Sequence, residues 1–416
     1  MLRDRSLLAI SLVVAVTFIG IGMVVPVRVL YAQAHGASLA IIGAMASSFL
    51  LSNFLCQYPV GWLSDLWGRK RLMIGGLAVQ AALGLAYLAV TDPLAFVALR
   101  CVEGAAAATV LPAARALVAD IVPPERRGEA YGIFGSFLNA GFLLGPAIGG
   151  LLATTGYASA FIGSCAFRLV ALAIVVTLIR DAGPARPTAR ARARNVPRRA
   201  LFTLPLLGAY ILAFGDNLYF GFDLTLMPLW MRHHLSAPVA AIGLAYAVWA
   251  LPNIIGAPLG GRLADRARRS SLIVAFGLAQ VPCYAAYGLL AAVAPVILIF
   301  GLHGAVYALM QPAVDATLAA ASPPDARARV QGVYSAVELA SAFIAANALS
   351  ALYGLNFRLP LFVMAAGFGA CVLVGGALIR LSEPRVATAA PTIERTAPLN
   401  RRRYSSPKRS GDASDP

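Results

Sequence analysis

Long apolar stretches follow one another along the chain as far as residue 381, separated by short polar segments. Each stretch holds about 20 residues, the length that a helix needs to cross the roughly 30 Å hydrocarbon core of a bilayer. Charged residues make up only 12% of the sequence, about half of their share in a soluble protein. A water-soluble core is therefore excluded, and the sequence predicts an all-α polytopic membrane protein.

We predict twelve transmembrane helices, and their order sets the topology. They cover residues 7–27, 40–63, 72–90, 94–118, 131–152, 158–179, 202–231, 240–263, 272–293, 295–319, 330–352 and 360–381. With the N-terminus inside, all but five of the 34 Lys and Arg residues lie in inner segments or at the inner ends of the spans. The exceptions are Arg28, Arg232 and Arg358, assigned to the outer side, and Arg100 and Arg168, assigned to spans.

This distribution of basic residues follows the positive-inside rule. The net charge of +16 therefore indicates membrane orientation, not nucleic-acid binding. We expect a multi-pass protein of the cell (inner or plasma) membrane with both termini in the cytoplasm.

The two halves of the chain match each other at a shift of 200 residues. Matching pairs include Gly61 and Gly261, Asp65 and Asp265, Arg69 and Arg269, Gly104 and Gly304, Pro112 and Pro312, and Gly132 and Gly332. Six spans per half is an even number, so both halves enter the membrane in the same sense, as parallel repeats. Two six-helix bundles around a midplane cavity can rock between inward-open and outward-open states, which indicates transport.

The repeat divides the chain into four parts. Residues 1–180 form an N-terminal six-helix bundle, 181–200 a cytoplasmic basic linker, 201–382 a C-terminal six-helix bundle and 383–416 a disordered cytoplasmic tail. The linker is rich in Pro and Arg, so we expect it to be mobile and to lie near anionic lipid.

A polar hairpin over residues 61–71 joins predicted spans 2 and 3. Gly68 suits a turn that requires positive φ, and Asp65 can cap a helix or pair with Arg69. A second copy of the hairpin covers residues 261–269.

Charged residues inside the spans are functional candidates, because an ion at mid-bilayer is costly unless it is paired or faces water. Arg100 and Glu103 lie three residues apart on one face of span 4. They could handle protons or substrate, or they could form an internal ion pair that only fixes helix packing.

Asp216 and Asp223 interrupt span 7 on nearly the same helix face. An ionised carboxylate at this depth is costly, which suits a group that takes up and releases a proton. Alternatively, each is tied to Arg100, Arg168 or a serine. In the second half, His303 occupies the position of Glu103, either as a packing residue or in a proton role.

Span 5 carries glycines at a spacing of four residues, Gly141, Gly145 and Gly149, which places a smooth groove on one face of the helix. Such a groove lets a neighbouring backbone approach closely, and Pro146 bends the helix. On span 2, Asn53 and Gln57 lie one turn apart, where such amides either hydrogen-bond to a neighbouring helix or contact substrate.

The chain resembles the major facilitator superfamily from about residue 6 to 381. The resemblance rests on the 61–71 hairpin, on Arg100, Glu103 and Gly104, and on the span 5 pattern of Gly132, Gly141, Gly145, Pro146, Gly149 and Gly150, which is similar to the motif of drug:proton antiporters. Glu at position 103, where the family more often has Gln, and the lack of an acid in span 1 are departures.

The resemblance implies roles for several residues. Asp65 would bind the start of span 11 in the outward-open state, with Gly61, Gly68 and an Arg69–Asp120 pair completing the gating set. Arg100 would assist proton movement, and the bend in span 5 would limit leak. The missing acid of span 1 leaves proton coupling to Glu103, Asp216, Asp223 or Glu338.

The leading hypothesis is a proton-driven exporter of small, moderately hydrophobic compounds, a multidrug-type antiporter associated with drug resistance. Its cavity is expected to be lined by Asn53, Gln57, Asn139, Tyr219 and Glu338. The alternatives are a proton-coupled importer of a small metabolite and a membrane enzyme or sensor. The enzyme alternative is disfavoured because the sequence shows no nucleophile paired with a base, no residues at the spacing of metal ligands and no phosphate-binding loop.

The expected energy source is the proton gradient, with no cofactor. The expected partners are a small-molecule substrate, protons and membrane lipid, with no nucleic acid, and we expect the protein to act as a monomer.

Overall fold

The computed structural model describes residues 5–123, 127–179, 197–323 and 326–383. These residues form thirteen α-helices and two short 3₁₀ turns, Ala153–Thr155 and Arg198–Leu201. The helices are α1 (Arg5–Ala34), α2 (Leu39–Trp67), α3 (Arg69–Ala89), α4 (Pro93–Ile121), α5 (Arg127–Leu152), α6 (Tyr157–Leu178), α7 (Leu204–Thr225), α8 (Met227–His234), α9 (Val239–Arg266), α10 (Arg269–Leu289), α11 (Val293–Ala321), α12 (Arg327–Leu355) and α13 (Leu359–Ser382).

Eleven of these helices are long and apolar enough to cross a membrane. α7 has 22 residues, which is also enough, but its polar residues lower its hydropathy. Large apolar side chains such as Leu298, Ile255 and Leu94 are exposed on the protein surface, as expected where a helix faces lipid. The all-α polytopic fold class is confirmed. The predicted linker and tail lie outside the described residues, except for residues 197–200 and Glu383.

The prediction of one continuous span over residues 202–231 is wrong. α7 ends at Thr225, where the Leu226 N–H donates to the Phe222 carbonyl, and α8 begins at Met227. Pro228 has no N–H to donate, so it is tolerated in the first turn of a new helix and not in the middle of an old one. Predicted spans 1–6 therefore correspond to α1–α6, span 7 to α7 and α8 together, and spans 8–12 to α9–α13.

Helix packing repeats between the two halves. In the first half α1 packs on α5 and α6, α4 on α2 and α3, and α3 on α6. In the second half α7 packs on α12 and α13, α11 on α9 and α10, and α10 on α13. Gly104 and Gly304 show the same correspondence, because each lies against a backbone carbonyl of the neighbouring helix, that of Phe49 or of Trp249. A side chain at either position would separate the two helices.

The two bundles meet through α5 with α9 and through α2 with α12. Gly150 and Gly243 lie close together at the first contact. At the second contact the Asn347 amide donates to Ser47 Oγ at 2.5 Å. These close approaches lie in the halves of the helices that are predicted to be external.

Candidate functional site

Glu103 lies at the centre of a buried ion cluster in the first bundle, which we call the arginine cluster (Arg28, Arg100, Arg168 and Glu103). Its Oε1 accepts hydrogen bonds from Arg28 at 3.1 Å and Arg168 at 3.4 Å. Its Oε2 accepts from Arg100 at 2.9 Å and from the Tyr87 hydroxyl at 3.2 Å. All four charged side chains are at least nine-tenths buried. Helices α1, α3, α4 and α6 are thereby joined through one carboxylate.

Two features of α4 hold the cluster in place. The three-residue spacing puts Arg100 and Glu103 on one face, and Gly104 next to them lets α2 approach closely. The Arg100 guanidinium lies over the Phe49 ring of α2 at 4.0 Å from the centroid, a favourable cation–π contact. The predicted Arg100–Glu103 pair is therefore present, within a larger network than the sequence indicated.

The assignment of Arg28 to the outer side is wrong. α1 continues to Ala34, past the predicted end at residue 27, and Arg28 is buried inside the bundle. The helix tolerates a charge there because Glu103, on the neighbouring helix α4, pairs with it. Sequence reasoning offered no signal for this, since Arg28 and Glu103 are 75 residues apart.

The equivalent positions of the second bundle are aromatic. Phe300 and Phe368 replace Arg100 and Arg168, and His303 replaces Glu103. The Tyr287 hydroxyl lies 3.2 Å from His303 Nδ1, just as Tyr87 contacts Glu103. The predicted correspondence between Glu103 and His303 is confirmed by this shared tyrosine contact. The second bundle therefore packs the equivalent helices together without buried cations at these positions.

Three acidic residues of the second bundle lie within electrostatic range of one another, and we call them the carboxylate cluster (Asp216 of α7, Asp315 of α11 and Glu338 of α12). Asp216 interacts electrostatically with the other two. Glu338 also interacts with Asn217, and the Gln311 amide donates to Asp315 at 3.1 Å. The structure therefore brings together two acids that the sequence singled out and adds Asp315.

Arg115 of α4 interacts with Glu338 from the opposite bundle. It is the position equivalent to Asp315 at the 200-residue shift, and its side chain is exposed. The carboxylate cluster therefore borders the space between the bundles and faces a cation across it.

Asp223 lies apart from the carboxylate cluster. It interacts with the hydroxyls of Tyr219 and Tyr246, and its Oδ1 accepts no hydrogen bond from the described residues. The alternative that Arg100 or Arg168 holds Asp216 or Asp223 is not what the structure shows, because both arginines bind Glu103. Tyr219 also packs against His303, with ring centroids 4.8 Å apart.

The amides of span 2 contact their own bundle. Asn53 donates to the Gly104 carbonyl at 3.0 Å and Gln57 donates to Asn53 Oδ1 at 3.1 Å, which fits the packing alternative. Asn139 is half-buried on α5. The five residues predicted to line one cavity are thus spread over both bundles, with Asn53 and Gln57 adjacent and Tyr219 and Glu338 in separate clusters.

The hairpin between α2 and α3 turns at Gly68, whose φ of 91° confirms the predicted positive-φ turn. Arg69 forms an ion pair with Asp120 and donates to the Ala116 carbonyl at 3.2 Å. In the second half Arg269 donates to the equivalent carbonyl of Ala316 at 3.1 Å. Gly61 and Asp65 lie on α2, and their surroundings fall outside the described part of the chain.

The glycine stripe of α5 packs on α1. An added Cβ at Gly145 would lie 2.7 Å from the Ile19 carbonyl oxygen, and one at Gly141 would lie 2.8 Å from that of Ala15. Gly149 lies still closer to the backbone of Met23. The expected close approach of a neighbouring backbone is confirmed, and the neighbour is α1. Gly132, by contrast, has open space over it.

Comparison with known proteins gives curated relatives over part of the chain. The MFS-type transporter MJ1560 of Methanocaldococcus jannaschii is 37% identical over 36% of this chain and 39% of its own length. The quinolone resistance protein NorA of Staphylococcus aureus is 28% identical over 48% of this chain and 52% of its own length. The chain thus matches about half or less of the length of these relatives.

Solved structures share the fold over nearly the whole chain. A bacterial homologue of the human lysosomal transporter Spinster, inward-facing and unoccupied, has a TM-score of 0.72 at 15% identity, covering 91% of this chain and 98% of its own. A D-xylose-proton symporter has a TM-score of 0.74 at 15% identity, covering 90% and 96%. The family model of the Major Facilitator Superfamily matches residues 10–227 and 218–409. With the repeated bundles described above, this match shows that the chain belongs to the Major Facilitator Superfamily, a family of transporters and not of enzymes.

Proposed function

We propose that this transporter is a proton-coupled exporter of small, moderately hydrophobic compounds, working by alternating access with the proton gradient as its energy source and no cofactor. The observation that carries the proposal is the carboxylate cluster at the border between the bundles. Three acids from α7, α11 and α12 interact there, next to the space that substrate crosses in a two-bundle transporter.

The carboxylate cluster supplies a way to couple protons to substrate. Like charges repel strongly in surroundings of low dielectric, so bound protons stabilise the cluster when it is empty. A substrate with positive or hydrogen-bond-donating groups offers the same stabilisation. Protons and substrate then compete for one site, which is the condition for exchange of one against the other.

The contacts favour the second bundle for proton exchange. Glu103 is held by three guanidinium groups and a tyrosine, so its ionised form is well stabilised and a proton must displace these donors. Asp216 has only acids among the charged groups that interact with it in the described residues. We therefore assign proton coupling to Asp216 with Glu338, and a supporting role to Arg100.

Two further observations support the exporter direction. The relatives named as NorA are quinolone resistance proteins, and the α5 glycine stripe on α1 belongs to the motif that resembles drug:proton antiporters. The alternative, a proton-coupled importer of a small metabolite, shares its fold with the D-xylose-proton symporter. At 15% identity that likeness concerns the fold alone.

The gating proposal follows the predicted hairpin. Arg69 and Asp120 hold the inner ends of α3 and α4 together, and Asp65 would bind the start of α12 when the inner side closes. We further propose a monomer in the inner or plasma membrane with both termini in the cytoplasm, exchanging protons for substrate at the carboxylate cluster.

The test uses purified protein in liposomes with an acidic lumen and an enclosed pH-sensitive dye. Addition of a quinolone or of a panel of small aromatic compounds outside should raise the internal pH as protons leave in exchange. Asp216→Asn should abolish this change. Asp223→Asn, the same substitution on the same helix outside the carboxylate cluster, is the matched control and should retain most of it.

Other results would contradict parts of this proposal. A fall in internal pH on addition of compound would indicate symport and favour the importer. Loss of exchange in Asp223→Asn with exchange retained in Asp216→Asn would move the coupling site out of the carboxylate cluster. A folded protein that moves protons with no compound in the panel would overturn the multidrug assignment.

A further inference from the structure

The arginine cluster has an unbalanced charge. Arg28, Arg100 and Arg168 carry three positive charges, and Glu103 carries one negative charge. Within the described residues, each of these three arginines forms its ion pair with Glu103. An excess of two positive charges that is at least nine-tenths buried is costly without a further anion.

The fold itself does not require these cations. The second bundle makes the same crossing with Phe300 and Phe368 at the positions of Arg100 and Arg168, and with His303 in place of Glu103. Tyr87 and Tyr287 make the same contact in both bundles. Since aromatic side chains are sufficient for packing at these two positions, the arginines there indicate a function of the first bundle.

The arginines are not equally engaged. Arg168 binds Glu103 and also donates to the Gln80 carbonyl at 3.2 Å, although its Nε–H, like that of Arg28, has no hydrogen-bond partner among the described residues. Arg28 binds Glu103 through one terminal nitrogen, and its buried Nε–H has no hydrogen-bond partner among the described residues. A guanidinium carries five N–H donors in a fixed fork. The buried Nε–H of Arg28 is therefore a donor that could bind an acceptor other than Glu103.

A small cavity lies beside these donors. Arg28 and Arg100 line it, and its other walls are apolar side chains, including Leu224 of α7 from the opposite bundle. Its volume is about 10 Å³, room for about one water molecule or one carboxylate oxygen, so a whole anion enters only when the bundles move apart. Because Leu224 belongs to the other bundle, relative movement of the bundles changes the size of this cavity.

We infer that Arg28 and Arg100 form a binding site for a monovalent anion, with the apolar wall favouring a weakly hydrated one. Two sources share this chemistry: a free halide, or the carboxylate of an organic substrate whose apolar part lies between the bundles. The site lies apart from the carboxylate cluster, which binds protons in the proposed function. Its existence does not depend on the direction of transport.

The test is equilibrium binding to the purified full-length protein, without a proton gradient. Sodium benzoate and sodium bromide are titrated at constant ionic strength set with sodium sulfate, by calorimetry and by thermal unfolding. Benzamide, the neutral analogue of benzoate, is the ligand control. Benzoate, bromide or both should bind saturably and raise the unfolding temperature, whereas benzamide should not.

Three variants locate the site. Arg28→Gln should weaken anion binding at least tenfold, and Leu224→Phe, which adds bulk to the cavity wall and leaves every charge in place, should weaken it similarly. Arg358→Gln, the same change at an arginine far from the cluster, should bind as the native chain does. Leu224→Phe keeps the test decisive if Arg28→Gln does not fold.

Comparison of the two ligands also distinguishes a substrate carboxylate from a free halide as the bound anion. Displacement of bound bromide by benzoate identifies a site that accepts a substrate carboxylate, and bromide binding that benzoate leaves unchanged identifies a free-ion site. The inference is overturned if neither anion binds saturably to the folded native chain, or if Arg28→Gln and Leu224→Phe bind with unchanged affinity. Neither result would change the outcome of the proton-exchange assay. The anion site and the proposed proton-coupled export can therefore be refuted independently of each other.

Discussion

Glu103→Gln removes the one negative charge from the arginine cluster while keeping the shape of the side chain. Each carboxylate oxygen accepts two hydrogen bonds, Oε1 from Arg28 and Arg168 and Oε2 from Arg100 and Tyr87. A glutamine retains one acceptor oxygen, so about half of these bonds lose their acceptor.

The size of the effect follows from these bonds. Hydrogen bonds to charged groups contribute about 1.5–3 kcal/mol each, so two lost bonds correspond to about 3–6 kcal/mol. Removal of one partner from a buried ion pair costs about 3–5 kcal/mol in measured cases. We therefore expect Glu103→Gln to lower the free energy of unfolding by about 3–5 kcal/mol.

The second bundle supplies the matched control. His303→Gln changes the equivalent position, where the hydrogen bond to Tyr287 is the main polar contact. Loss of one hydrogen bond between neutral groups and some ring packing costs about 1–2 kcal/mol. The assay is reversible unfolding in mixed detergent–SDS micelles, followed by tryptophan fluorescence and circular dichroism.

The comparison can refute the reasoning directly. If Glu103→Gln is no more destabilising than His303→Gln, then Glu103 does not neutralise the three arginines in the folded protein. A second measurement uses Arg168→Gln in the Glu103→Gln background. Because this removes an unpaired buried cation, the double variant should be less destabilised than the sum of the two single changes by about 1–3 kcal/mol.

Two other predictions concern the glycine stripe and the hairpin. Gly149→Ala should sharply reduce stability and transport because a Cβ there clashes with the α1 backbone. Gly132→Ala, at a position with open space over it, should leave both nearly unchanged. Thermal unfolding measures the stability of the two variants, and substrate exchange measures their transport. Asp120→Asn should change stability by no more than about 1 kcal/mol, since its ion pair with Arg69 is partly exposed, yet slow substrate exchange in liposomes if the pair acts in gating. Equal damage from both glycine variants, or unchanged exchange in Asp120→Asn, would contradict these roles.

Features that depend on local spacing could be predicted from the sequence. The four-residue glycine repeat of α5 predicts a close helix contact, and Gly141 and Gly145 indeed lie on the α1 backbone. The turn at Gly68 could be predicted because a tight turn between two spans requires a residue with positive φ, which glycine adopts easily. The 200-residue shift predicts equivalent bundles, and the helix contacts repeat accordingly.

Contacts between distant helices could not be predicted. The partners of Glu103 come from three other helices, and no periodicity within one span indicates which helix its charged face will meet. The break between α7 and α8 was missed for a different reason. Hydropathy alone does not show that Pro228 begins a new helix, because apolar residues continue on both sides of it.

The two bundles use their buried charges in different ways, and this difference bears on the coupling mechanism. In the first bundle Glu103 is surrounded by cations that hold it ionised, so its role is to organise Arg28 and Arg100. In the second bundle Asp216 meets other acids, so the number of protons it shares can change. A Glu103→Gln protein that still folds should therefore retain compound-driven proton exchange at a reduced rate, whereas Asp216→Asn should lose it. Complete loss of exchange in folded Glu103→Gln, with exchange intact in Asp216→Asn, would place proton coupling in the arginine cluster.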